Sequence, residues 1–159
     1  MEGLDATFFS RAVELAHEAD QRGNLPIGAL IVLDGEIIAE GRNAIWAPTY
    51  RPNRHAELEA LRMVHSDLWQ RATEMTLYST LEPCLMCTGA ILLHRIGQVR
   101  FGTTDPFGGS RPILERLPPY FESVFADTSW DGPLDLERCQ PLHERAIELL
   151  RARGEMDAR

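Results

Sequence analysis

The sequence contains no lysine. All 16 basic side chains are arginine, set against 24 acids, and the formal net charge is −8. That balance disfavours broad contact with nucleic acid phosphates, which rests on clustered positive charge, but it leaves a local basic patch open. Cysteine is scarce. Three residues cannot form a disulfide framework, and two of them stand in C-x-x-C, which points to metal or redox use. No stretch is long and apolar enough to span a membrane. The opening residues Met1-Glu2-Gly3-Leu4-Asp5 are acidic and lack the basic and apolar regions of a secretory signal, so the expected compartment is the cytoplasm. Internal repeats, low-complexity segments and linkers are also absent. A composition of 44% hydrophobic and 25% charged residues over 159 positions then implies one globular domain, residues 1–159, with a single core.

Hydrophobic periodicity sets the expected elements. Phe8 to Ala19 repeats apolar residues at helical spacing, with Asp5 or Thr7 as a cap. Ala29-Leu30-Ile31-Val32-Leu33, the turn pair Asp34-Gly35, and Glu36 to Glu40 predict a hairpin that leaves Asn43 at a strand end. Residues 44–54 form a loop broken by two prolines, where Trp46, Tyr50, Arg51 and Arg54 either line a pocket or pin the loop to the core. His55 to Val64 is helical, capped by Asn53, and residues 65–74 connect. Met75 to Thr80 is a strand, Cys84 to Leu93 a helix whose all-round apolarity predicts burial, and Gln98 to Gly102 a further strand. Arg111 to Leu117 reads as a short helix and Phe121 to Ala126 as an edge strand. Residues 133–153 read as one or two helices interrupted near Pro141, with a frayed tail from Arg151 to Arg159. The order predicts an α/β domain with helices on both faces of a sheet.

The chemistry concentrates in two short stretches. Cys84 and Cys87 lie three apart on a first helical turn, so both sulfurs face one way, and the free N–H groups there favour thiolate. His55 opens another helix. One imidazole and two thiolates are a three-ligand zinc set with one position open, the pattern of a catalytic site that activates water. Glu57 would stand beside the open position as a proton shuttle. Two other readings use the same cysteines: a thioredoxin-like redox pair, which leaves His55 and Glu57 without a role, and a closed structural zinc site completed by His65, His94 or Cys139.

His55-Ala56-Glu57 followed by Pro83-Cys84-Leu85-Met86-Cys87 resembles the H-x-E…P-C-x-x-C signature of the zinc-dependent cytidine/adenosine deaminase superfamily. The stretches Leu25-Pro26-Ile27-Gly28-Ala29, Gly41-Arg42-Asn43, Thr76 to Glu82 and Arg95 to Gly102 extend the likeness over residues 8–110, most closely to bacterial tRNA wobble-adenosine deaminases and guanine deaminases. The resemblance implies a three-layer α-β-α domain with a mixed sheet of about five strands. It implies zinc on His55, Cys84 and Cys87, with Glu57 as the catalytic proton carrier. Asn43, the backbone at Ala56, Glu82 and Pro83, and Asp105 match groups that bind substrate. It also implies a homodimer built on the C-x-x-C helices.

Departures from that pattern bear on the substrate. After the aspartate, where the wobble enzymes tend to carry a basic residue, this chain reads Asp105-Pro106-Phe107-Gly108-Gly109. Residues 121–159 hold nine acids and five arginines, a poor surface for a tRNA arm. Glu59 disfavours a bound phosphate, whereas Arg51 and Arg54 favour one. The sequence therefore predicts hydrolytic release of ammonia from a small nucleobase or nucleoside, an aminopurine such as guanine first. Adenosine deamination in a tRNA anticodon is the alternative, and a non-catalytic zinc-stabilised binding domain the third reading.

Overall fold

The computed structural model describes residues 3–156; Met1, Glu2 and residues 157–159, the end of the expected frayed tail, lie outside them. In chain order the elements are α1 (Gly3–Gln21), β1 (Gly28–Leu33), β2 (Glu36–Arg42), α2 (Ala56–Met63), a 3-10 stretch (Ser66–Glu74), β3 (Thr76–Leu81), α3 (Leu85–Leu93), β4 (Gln98–Thr103), α4 (Arg111–Leu114), α5 (Pro119–Phe125), β5 (Ser129–Asp131) and α6 (Leu136–Ala152).

The strands form one five-stranded sheet in the order β2-β1-β3-β4-β5. The hairpin forms as the sequence predicts, with positive φ at Asp34 (53°) and Gly35 (78°), as a two-residue primed turn requires. β1 is buried along its whole length because it has strands on both sides and helices on both faces, hence its unbroken apolar run. β1 also pairs antiparallel with β3, while β3, β4 and β5 run parallel. Alternation splits the core: Ile31, Leu77 and Val99 pack with Ala60 of α2 and Ile91 of α3 on one face. Leu30, Val32 and Tyr78 pack with Phe8, Phe9 and Leu15 of α1 on the other. With α6 packed against β3 and β4 beside α1, the result is the expected three-layer α-β-α mixed sheet. Leu81 and Thr103 are register partners, so the chain leaves β3 and β4 at the same end of the sheet, the carboxyl end where parallel α/β sheets bind ligands.

Several local expectations are corrected. Residues 121–125 are helical, part of α5, with Ala126 as its C-cap, because Pro119 fits the first helical turn and Val124 is buried; the edge strand is Ser129–Asp131. Pro141 does not interrupt α6. It sits on the exposed side, where water can take the carbonyl it leaves free, while Cys139, Leu142, His143 and Ala146 hold the other side in the core. Asn53 does not cap α2, since His55 occupies that position. Asp5 lies inside α1 and accepts hydrogen bonds from Tyr78 Oη at 2.5 Å and from Arg100, tying the helix to the sheet. Within the described tail, Glu155 accepts from the Trp46 indole at 3.1 Å, and the Arg153 guanidinium lies 3.8 Å over the Trp46 ring. Trp46 thereby pins the 44–54 loop, while Tyr50 is exposed. Burial of α3 is one-sided, since Leu85, Met86 and Leu93 are exposed.

Candidate metal and catalytic site

Two helix starts meet above the sheet. His55 and Cys84 are the N-cap residues of α2 and α3, both with extended backbone and neither using its side chain as a cap. Both side chains are therefore free to face each other. Close packing of β2 against α2 fixes this approach: a Cβ on Gly41 would lie 2.1 Å from the Ala56 carbonyl oxygen. Cys87, one turn into α3, is fully buried on the same face as Cys84.

His55 Nδ1 lies 3.6 Å from Cys84 Sγ and 3.5 Å from Cys87 Sγ, and the three ligand atoms all fall within 4.8 Å of one another. A tetrahedral zinc with ordinary Zn–S and Zn–N lengths separates an imidazole nitrogen and a sulfur by roughly 3.5 Å. The donor set thus fits zinc in chemistry and in spacing. His65, His94 and Cys139 do not join the cluster, which among the described residues is the one group of three such donors. The closed structural site is set aside on that ground.

Electrostatics follow the geometry. Cys84 is pulled down to about 4, first by the Cys87 hydrogen bond and then by His55, against the cost of burial. Cys87 is pushed far up, by donating to Cys84 and by burial. One proton shared between two sulfurs is what a cation would displace, since a coordinating thiol is deprotonated outright. Burial lowers the His55 pKa, but Cys84, the Glu57 charge and a hydrogen bond to the Pro52 backbone outweigh it, so the net shift is upward. Glu57 is 4% exposed, and burial raises its pKa against the pull of His55. Its Oε2 is 3.5 Å from Cys87 Sγ, and its Oε1 accepts from Ser79 Oγ at 3.4 Å.

The other predicted residues divide. Asn43 is buried; its Oδ1 accepts from the Ile45 N–H at 3.3 Å, and its Nδ2 is buried without a partner. Glu82 is buried, accepting from Arg111 N at 2.8 Å and Asp105 N at 3.2 Å, so its side chain organises a loop. The Glu82 N–H bonds Thr103 O, and the Pro83 carbonyl accepts from Ser110 N. Asp105 is turned inward toward His143 Nε2 at 3.5 Å and also accepts from Phe107 N at 2.9 Å. Those bonds outweigh burial and hold its carboxyl below the usual range. Arg54 is engaged by Glu59 at 2.7 Å, while Arg51 is exposed. The sequence reading missed two residues. Ser79 was legible as a hydroxyl on the inward face of a central strand; His143, one polar residue on an amphipathic helix, carried no signal.

Residues 3–103 match the profile of the cytidine and deoxycytidylate deaminase zinc-binding region. The chain belongs to this zinc-dependent deaminase family. It is 40% identical over 117 residues to a tRNA-specific adenosine deaminase of Bacillus subtilis, covering 71% of this chain and 70% of that protein. A solved deaminase from work on A-to-I editing of transfer RNA at the wobble position superposes with a TM-score of 0.70 at 33% identity, over 82% of this chain and all of the other. The guanine deaminase of Nitrosomonas europaea superposes with a TM-score of 0.67 at 21% identity, over 88% and 83%, a likeness of fold. The deaminase is thus a zinc-binding hydrolase of C–N bonds, and the redox and non-catalytic readings fall away. Its helices include none long and apolar enough to cross a membrane among the described residues.

Proposed function

We propose that this protein hydrolytically deaminates adenosine in a tRNA anticodon, replacing the exocyclic amine with oxygen from water and releasing ammonia. The observation that carries the reading is the level of likeness: the relatives at 33–40% identity concern tRNA adenosine, while guanine deaminase stands at 21%. This reverses the order in which the sequence ranked the two substrates.

Zinc held by His55, Cys84 and Cys87 would supply an electrophilic centre that acidifies a water molecule. Glu57 moves both protons of the attacking water in turn, the first to the ring nitrogen and the second to the leaving amine, so that water's oxygen stays on the ring carbon and ammonia leaves. Its carboxylate lies 3.5 Å from Cys87 Sγ, within reach of a water at the open position of the cluster. Asn43 Nδ2 donates to the substrate ring, satisfying its buried donor. The Ala56 N–H, at the open N-terminus of α2, and the Glu82 carbonyl position the ring. A second copy of the chain covers the exposed α3 residues Leu85, Met86 and Leu93 and deepens the site.

One observation favours the small-aminopurine reading: the charge of −8, together with Glu59 occupying Arg54, leaves little to hold phosphates. Ammonia release across guanine, adenine, adenosine, nucleotides and an anticodon stem-loop decides between them. The proposal expects the stem-loop to exceed every small substrate and to lose rate as salt rises. Faster turnover of guanine, insensitive to salt, would hand the case to the second reading.

A further inference from the structure

The turn after β4 spends two buried polar side chains, Glu82 and His143, and the half-buried Asp105 on holding up an exposed one. Asp105 to Gly109 closes as a turn through Gly109 N–H to Asp105 O at 3.0 Å, with Phe107 at its apex. The Asp105 carboxylate accepts from the Phe107 N–H at 2.9 Å and is held from behind by the buried His143 of α6. The buried Glu82 carboxylate grips both ends, accepting from Asp105 N and Arg111 N. A Cβ on Gly109 would lie 2.6 Å from the Glu82 carboxyl carbon, so only glycine permits that grip. Gly109 is also the bridge partner of Cys84, which places the turn beside a metal ligand.

Phe107 itself is 60% exposed and joins no aromatic pair among the described residues. Exposing a phenyl on a rigid mount costs hydrophobic free energy that this chain recovers only when something flat covers the ring. The turn that carries the exposed ring is bridged through Gly109 to the metal ligand Cys84, which sets Phe107 on a loop beside the cluster rather than among its ligands. Stacking also serves a chain with little positive charge, because it does not depend on salt.

We propose that Phe107 is a specificity-determining residue that stacks on the nucleobase adjacent to the one being deaminated, with Glu82, Asp105 and His143 as the positioning residues that present it. The inference rests on the reading of an RNA substrate given above. The test uses the full zinc-loaded chain and an anticodon stem-loop, intact or lacking the base on either side of the reacting adenosine. Phe107→Ala should weaken stem-loop binding by about tenfold at both low and physiological salt, and Phe107→Trp should restore it. Removing the neighbouring base should weaken binding to the wild type and make no further difference to Phe107→Ala. Zinc content and turnover of free adenosine should stay at the wild-type level. Unchanged stem-loop binding by Phe107→Ala, while the wild type still makes inosine in that RNA, would overturn the role of Phe107 and leave the proposed function standing. Loss of the native oligomer in Phe107→Ala would overturn it too, by assigning the ring to an interface between copies. A wild type that neither binds nor edits the RNA would bring down the proposed function and this inference with it.

Discussion

Gly41→Ala links packing to chemistry most directly. The new methyl would lie 2.1 Å from the Ala56 carbonyl oxygen and 2.4 Å from the Ala60 nitrogen, both backbone atoms of α2. Ordinary contact begins near 3.4 Å, so strand and helix must part by about 1.3 Å. Overpacking of this kind costs about 1–3 kcal/mol, and for a domain of this size that lowers Tm by about 2–12 °C. The separation acts on the turn of α2 that carries His55 and Glu57, whose contacts to Cys87 are both 3.5 Å. A displacement on the order of 1 Å in a catalytic constellation can cost ~10²-fold in rate. Turnover measured well below the lowered Tm, with zinc quantified in the same sample, separates unfolding from misplacement. The expected result is a folded protein with turnover down by roughly that factor. Near-normal turnover would refute the claim that the β2–α2 contact sets the position of the site.

Other expectations follow from the same contacts. Cys87→Ala should lose most of its zinc by metal analysis and fold less stably, since the fully buried sulfur is one of three donors. Glu57→Gln keeps the shape but cannot carry a proton; zinc should stay and turnover should fall by at least ~10²-fold in a steady-state assay. Asp105 has a depressed pKa, so its stabilising contribution is complete above its ordinary value of 3.8 and is lost as pH falls through the lower folded value. In acid titrations, Asp105→Asn should therefore be less stable than wild type at neutral pH and show a shallower decline at low pH. Leu93→Glu, on the exposed side of α3, should shift sedimentation toward monomer with zinc retained; an unchanged profile would place any interface elsewhere.

Much of this protein was legible in its sequence because the decisive signals are local. Asp34-Gly35 between two apolar runs specifies its hairpin, and the spacing of Cys84 and Cys87 places two sulfurs on one helical face whatever surrounds them. The meeting of His55 with the cysteines was readable only through the ordered combination of two weak motifs, since 29 residues separate His55 from Cys84. What stayed hidden depended on packing at a distance. The α5 segment carries strand-like aromatics, and its helix follows from Pro119 and the burial of Val124. The contact of the tail with Trp46 joins it to a residue 109 positions away from the Glu155 it binds. Asp105 and Glu82 look alike in sequence as acids near a site, yet both turn inward to hold a loop. Substrate choice was the least legible, because net charge speaks for the whole surface and recognition belongs to a few rim residues.

The most direct test of the central claim is made on the product. An anticodon stem-loop with adenosine at its first anticodon position is incubated with the zinc-loaded chain in isotopically labelled water, and the nucleosides are then analysed by mass spectrometry. The account predicts one inosine per molecule at that position, carrying the label in its new oxygen, with an equal amount of ammonia and none of either from Glu57→Gln. Recovery of unchanged RNA under conditions where guanine or adenosine is consumed would contradict it.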